Sequence, residues 1–468
     1  MLGGKNSPGQ GKRGGSGAAQ SQYGKMTARS RLQAVTDYLS ESPLAERDFR
    51  LLFAGRTISL FGSSFAPIAL AFAVIHLTGS PADLGVVLSA YMLAHIVFLL
   101  AGGVWADRLP RHFVMVGADL LSGGAQIAAA GLLLTGRAEV WHLLVLGALR
   151  GGSSAFFAPA ATGLVPQVVS PSRIQQANAL LGLSRNFTRI GGVAAAGLLI
   201  AAVGPGWALA LDGVTYGVGA LFVASIRTHR AVTTERNRFL SDLSEGWREF
   251  RSRSWLCVTI VQFALINAYA IGAFLVLGPF VAERSLGGAS AWGLILAAEA
   301  VGMILAGVVA LHYRPERPLL VATLAVLTMA PLLALLGMAA PLGLIIVAAL
   351  VAGVGLELYG VFWETTLQEH IPEEKLSRVS SYDVLGSFAL IPVGVAFMGP
   401  IAHWIGVENT LIGAAVVVVL ATMTVIAVAD VRNLRRVERP LPLPTRPSAE
   451  APRFLAPEPA AGSPARRA

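Results

Sequence analysis

The 468-residue sequence predicts an all-α integral membrane protein with twelve transmembrane helices in two six-helix pseudo-symmetric lobes. Composition is the first observation behind this. The chain is 54% hydrophobic and only 13% charged, whereas soluble domains carry about a quarter charged residues, and its mean hydropathy is +0.63. The second is the set of windows without acid, lysine or arginine, such as 87–103, 342–355 and 411–429. At about 1.5 Å of rise per residue these approach or span a hydrocarbon core of about 30 Å. The third is an echo between the two halves of the chain, described below.

In chain order, residues 1–47 read as a disordered basic tail, Gly- and Ser-rich, without the apolar central stretch of a secretory signal. Six apolar windows follow over residues 48–226, starting near 49, 82, 112, 140, 177 and 207. Residues 227–254 then read as a cytoplasmic linker, in which Leu240, Leu243, Trp247 and Phe250 recur at helical spacing among charges, the pattern of a helix lying in the membrane interface. A plain tether between the halves is compatible with the same residues. Six more windows fill residues 255–430, starting near 255, 289, 318, 341, 379 and 409. Residues 431–468 are rich in Pro, Ala and Arg and read as a second disordered tail.

Connections alternate in character. Arg108, Arg111, Arg173, Arg314, Arg317, Lys375 and Arg378 crowd one set, with the linker; "TGSPAD", "VGPG" and "GMAAPLG" typify the other. By the positive-inside rule the basic set and both termini face the cytoplasm, in a multi-pass protein of the plasma membrane. The halves echo each other in "LVPQVVSPSRIQQANALLGLS" (164–184) and "LQEHIPEEKLSRVSSYDVLGS" (367–387). Each runs from an apolar-Pro turn through a basic residue and small polar residues into a helix, as expected for two lobes with a pathway between them.

The formal net charge of +9 sits between spans and in the tails rather than along one face, so nucleic acid is not an expected partner. Single Cys257 excludes an intramolecular disulfide or a cysteine metal cluster. The sequence holds no Gly-x4-Gly-Lys-Ser/Thr phosphate loop, no His-Glu-x-x-His and no Gly-x-Ser-x-Gly. Neither an enzyme nor an ATP-driven pump is expected, and no cofactor or metal.

Between the second and third windows the chain reads "GGVWADRLPRHFVM" (102–115). The pattern Gly103-x-x-x-Asp107-Arg108-x-x-Arg111-His112 resembles the signature loop of the major facilitator superfamily, departing from it at Pro110, where Gly is usual, and at His112, where a second Arg or Lys is common. "LGALRGGSSAFF", with Arg150 beside Gly151, Gly152, Ser153 and Ser154, resembles the family's fourth-span motif. "RIGGVAAAGLLI" (189–200) resembles the Gly-rich fifth-span motif of exporters, with Gly192 replacing the expected Pro. Residues 156–180 resemble the same segment in efflux members related to macrolide and enterobactin exporters. The likeness covers roughly residues 48–430.

It implies a monomeric secondary transporter, expected to export small amphipathic or hydrophobic compounds in exchange for protons by alternating access. Small-molecule substrate, protons and membrane lipids are its expected partners; uptake of a sugar or other metabolite, or a non-transporting scaffold, are the alternatives. In such a loop Gly103 admits close helix approach. Asp107 can sit on the positive end of the eleventh span, while Arg108 and Arg111 hold carboxylates and lipid phosphates. Together they would latch the cytoplasmic side shut in the outward-facing state.

Ionisable groups inside lipid cost about 2.5 to 3.5 kcal/mol on insertion scales and normally face a wet interior. By count along their spans Arg150, Glu299 and Glu357 fall deepest, with His95 near the middle of the second; Asp119, Arg56, Asp212 and Glu364 fall nearer an end. Glu299 or Glu357, the latter seven residues before Glu364 on one helical face, is a candidate proton carrier. Structural pairing, for example Asp119 with Arg150 or Arg56, is the rival reading, and for His95 it is hydrogen-bonded packing. Tyr91, Gln126, Gln262, Asn267, Tyr269, Tyr359 and Trp363 are polar or aromatic residues in apolar helices and are candidates for the cavity lining.

Overall fold

The computed structural model describes residues 42–227, 248 and 251–437, without the side chains of residues 100–108, 373, 374, 377, 378 and 381. Residues 1–41 and 438–468, and the interfacial helix expected around Leu240, Leu243, Trp247 and Phe250, lie outside the described residues. Residues 42–47 and 431–437, expected to belong to disordered tails, are instead held against the lobes by backbone and side-chain hydrogen bonds. Among the described residues there are helices and no strands, and twelve spans are long and apolar enough to cross a membrane. The first lobe holds α1 (Arg47–Thr78), α2 (Pro81–Arg108), α3 (Arg111–Leu134), α4 (Val140–Val168), α5 (Ile174–Val203) and α6 (Pro205–Ala224). The second holds α7 (Ser254–Leu286), α8 (Ala289–His312), α9 (Pro318–Gly337), α10 (Leu342–His370), α11 (Glu373–Phe388, continued as Ile391–Ile405) and α12 (Val407–Ala427).

Every start expected from the sequence falls within six residues of its helix. The largest offsets are at α5 and α11, which begin inside the polar approach segments of the two echoing stretches. Lobe symmetry is visible at the links. α5 meets α6 through Gly204 alone, at φ 85°, and α11 meets α12 through Gly406 alone, at φ 89°. Only glycine adopts that conformation without strain, and it reverses the chain in one residue. Within each lobe one crossing is especially close. A side chain at Gly151 of α4 would strike the backbone of Tyr91 on α2, and one at Gly353 of α10 would strike the backbone of Glu299 on α8.

The surface explains the composition. Trp404 is 82% exposed, and Leu311, Leu221, Phe187 and Leu183 are also exposed. Such side chains suit a hydrocarbon solvent, which imposes no cost on an apolar exterior.

Successive helices alternate in direction, so the links gather at two ends. One carries the short glycine links around Gly79, Gly204, Gly287 and Gly406; the other carries Arg111, Arg173, Arg253, Arg314 and Arg317. At this basic end each lobe is strapped by the chain beside it. Glu46 accepts the Ser170 backbone N–H and faces Arg173 at 3.7 Å. In the second lobe the Arg436 backbone N–H donates to the Glu316 carbonyl at 2.8 Å, its guanidinium donates to Glu369 at 3.0 Å, and Ser254 donates to Asp430.

The lobes touch along α2 with α11 and α5 with α8, and the close contacts fall towards the glycine end. Gly85 lies against the Val395 carbonyl and Gly399 against Ala82, while the Ser89 hydroxyl donates to the Pro392 carbonyl at 2.9 Å. Gly197 and Gly293 meet backbone to backbone, and His76 Nε2 lies 3.0 Å from Glu283. Towards the basic end α5 and α8 part around a cavity bordered by Asn186, Arg189, Gly307 and Leu311. The molecule is closed at its glycine end.

Candidate functional site

The first lobe buries a polar cluster built by five helices. Arg150 of α4 is nearly enclosed, and its Nη2 lies 4.0 Å from Oδ2 of Asp212 on α6, which is 0% exposed. Gln126 of α3 donates to the same carboxylate oxygen at 2.5 Å. The guanidinium stands 5.1 Å from the ring centroid of Tyr91 on α2, a cation–π contact favoured where water is absent. Tyr216, one helical turn after Asp212, reaches Ser63 of α1 at 2.9 Å. His95 Nδ1 lies 2.8 Å from the Ser154 hydroxyl, and Ser122 meets Ser153 at 2.7 Å. The small residues flanking Arg150 thus let α2 and α4 approach and supply hydroxyls to neighbours.

The counter-ion of Arg150 is therefore Asp212 rather than Asp119. Asp119 of α3 is buried, makes no ion pair among the described residues, and lies close enough to Asp212 for the two carboxyls to interact. Arg150 Nε and Asp212 Oδ1 are both buried without a hydrogen-bond partner among the described residues. The guanidinium pairs with one carboxyl, and a second carboxyl lies beside the first. Unless one carboxyl carries a proton, the cluster holds a net negative charge where lone charge is costly.

Counting from a start near 207 places Asp212 nearer an end of its span; the helix begins at Pro205, which puts Asp212 two turns in. Spacing could have found Tyr216, since residues four apart share a helix face.

The second lobe is organised differently. Phe263 and Tyr359 stack at 4.3 Å, Trp363 extends the stack, and its indole N–H donates to Asp383 of α11 at 2.9 Å. Asp383 also accepts from Ser387, and Asn267 donates to the Ser387 carbonyl at 2.8 Å. Asp383 lies inside the window expected from about 379 but is not singled out by its spacing; α11 begins at Glu373, which puts it well inside the helix. Glu299 lines a narrow apolar pocket with Phe263, Asn267 and Thr328. Glu357 lines the cavity between the lobes.

Three candidates stand apart. Gln262 is buried and donates to Thr422 of α12, tying two helices of one lobe. Tyr269 is 43% exposed and lines neither the Glu299 pocket nor the Glu357 cavity. Glu364 is exposed, because seven residues are close to, but not equal to, two helical turns and the helix changes surroundings along its length.

Of the signature loop, Gly103, Asp107 and Arg108 form the last turns of α2, and their side chains lie outside the described residues, as does that of Arg378. Pro110 ends the link, and α3 starts at Arg111. The Arg111 guanidinium fills the space above Gly163 of α4, within its own lobe.

The sequence model of the Major Facilitator Superfamily matches residues 52–390. Macrolide efflux protein A of Streptococcus pyogenes is 24% identical, over 82% of this chain and 97% of that protein. The multidrug efflux pump Tap of Mycolicibacterium fortuitum is 24% identical, over 83% and 97%. Among solved structures, the nucleoside transporter NupG superposes with a TM-score of 0.65 at 12% identity, covering 81% of this chain and 98% of that one. A bacterial homologue of the human lysosomal transporter Spinster, in an inward-facing, unoccupied conformation, gives 0.64 at 14% identity, covering 82% and 96%. Two strapped lobes of six helices, a charge cluster buried in one of them and a family match over most of the length establish that this chain belongs to the major facilitator superfamily.

Proposed function

We propose that the protein is a proton-coupled exporter of small amphipathic or hydrophobic compounds, working by alternating access across the plasma membrane with both termini in the cytoplasm. The observation that carries this reading is the buried Arg150–Asp212 pair with a second buried carboxyl, Asp119, beside Asp212; in this reading one of the two carboxyls takes up and releases the coupling proton. Exchange of that proton changes the electrostatics of α3, α4 and α6 together, which gives a gradient purchase on the whole lobe. The relatives named for macrolide and multidrug efflux support the direction and the substrate class.

With the basic end in the cytoplasm, the described conformation is shut outside and parted inside, ready to admit a compound from the cell. Rocking the rigid lobes would open the glycine seam and close the basic end, where the signature loop lies between α2 and α3. The coupling carboxyl in this reading is Asp119 or Asp212, rather than Glu299 or Glu357.

Efflux of a fluorescent hydrophobic dye from cells with and without the protein, repeated after the proton gradient is collapsed, tests the proposal. Expression should speed efflux, and the gain should vanish with the gradient. Unchanged efflux in expressing cells, or a gain that survives collapse, would refute it.

A further inference from the structure

The cavity where α5 and α8 part has a volume of about 270 Å³ and takes its two charges from opposite lobes. Arg189 of α5 lines it from the first lobe and Glu357 of α10 from the second. Neither makes an ion pair or a hydrogen bond among the described residues, although they carry opposite charge and border one space. The polarity extends beyond the pair. Arg185, one turn before Arg189, and Arg56 of α1 add positive charge on the first lobe, close enough to act on each other. Glu299 of the second lobe, in the neighbouring pocket, lies close enough to Arg189 to feel its charge. Between the charges the walls are apolar and adaptable: Met303, Ile304 and Val308.

Resting on the exporter reading, we propose that this cavity selects amphoteric amphipaths, holding an acidic group on Arg189 and a basic group on Glu357 while the apolar body lies along α8. A planar guanidinium takes a carboxylate through two parallel hydrogen bonds, and a carboxylate takes a protonated amine. A compound with only one charge leaves the other protein charge unmatched in a partly dehydrated site, and a neutral one leaves both. Asn186 of α5, beside Arg189, offers a further donor to the acidic group.

The test uses three probes and the full-length protein purified in lipid nanodiscs. Norfloxacin carries a carboxylate and a protonated piperazine; its methyl ester lacks the acid, and its N-acetyl derivative lacks the base. Binding followed by ligand fluorescence should favour norfloxacin over each derivative by about tenfold or more. Arg189→Gln should remove the preference over the ester and keep that over the N-acetyl form; Glu357→Gln should do the reverse. Arg189→Lys and Glu357→Asp, which conserve charge, should keep both preferences and show that the Gln variants act through charge rather than misfolding.

Equal binding of all three probes, or none, overturns the proposal. So does an equal loss for all probes in both Gln variants, the result expected if Arg189 and Glu357 serve only to close on each other as the lobes rock. Dye efflux from cells separates the two readings. Gradient-dependent efflux without charge preference removes only the amphoteric class, whereas charge preference without efflux removes only the exporter.

Discussion

At the scale of single residues, the buried cluster of the first lobe decides how the protein would use a proton. Asp212→Asn leaves the Arg150 guanidinium buried without its counter-ion, a change that costs about 3–5 kcal/mol for a buried pair. The variant should therefore melt well below the wild type in detergent, by light scattering or thiol-dye assay. Replacing both partners, Arg150→Met with Asp212→Leu, should recover most of that stability and still abolish gradient-driven transport. Recovery of transport would mean that the pair is only structural. Asp119→Asn makes a finer separation, because Asp119 makes no ion pair among the described residues. In proteoliposomes this variant should still exchange labelled substrate across the bilayer but lose the response to an imposed pH difference, while Glu299→Gln keeps it. Arg150 was legible in the sequence from its depth and its small neighbours. Asp212 was legible only as a charge nearer an end, since a two-residue error in a helix start shifts the estimated depth by about 3 Å; its pairing with Arg150, with Tyr216 beside it, depends on how separate helices pack, which no single helix's spacing sets.

At the scale of helices, glycines mark where backbones must touch. Gly197 of α5 meets Gly293 of α8 at the seam between lobes, and a Cβ there would fall 2.8 Å from the Ala289 carbonyl and 2.9 Å from Gly293 Cα. Gly197→Val should leave each lobe folded but oppose the seam by about 1–3 kcal/mol, the usual cost of overpacking. That shifts the population towards open at the glycine end by about tenfold. Thiol labelling at an introduced cysteine in the seam, Ser89→Cys, should accelerate accordingly. Unchanged labelling would show that the seam does not open there.

The twelve windows were legible because lipid demands long uncharged helices, a constraint read directly from composition. Helix ends inside the polar approach segments of α5 and α11 were not, because Asp, Ser and Lys there resemble a link while the backbone already turns as helix. Asn267 and Tyr269, two residues apart, fall on opposite faces of the helix, so only one of the two candidates could be buried, and Asn267 is the buried one.

For the whole molecule, each lobe is a body held together by straps at its basic end, Glu46 to the 170–173 link and Arg436 to Glu369 and the Glu316 carbonyl, and the two bodies share a seam at the opposite end. Such a division lets the lobes rock without deforming inside. Reporter fusions at Arg236 should place the linker in the cytoplasm, and an external placement would reverse the direction of transport proposed above. The most direct measurement is of two distances by pulsed electron paramagnetic resonance. With the single native cysteine replaced, Cys257→Ser, spin labels at 183 and 311 span the basic end, and labels at 203 and 284 span the glycine end. Moving from mildly alkaline to mildly acidic buffer should change the two distances in opposite senses, one end closing as the other opens, and Asp119→Asn should abolish the response. Distances that shift in the same sense, or that respond to pH equally with and without Asp119, would contradict a proton-driven rocking of two lobes.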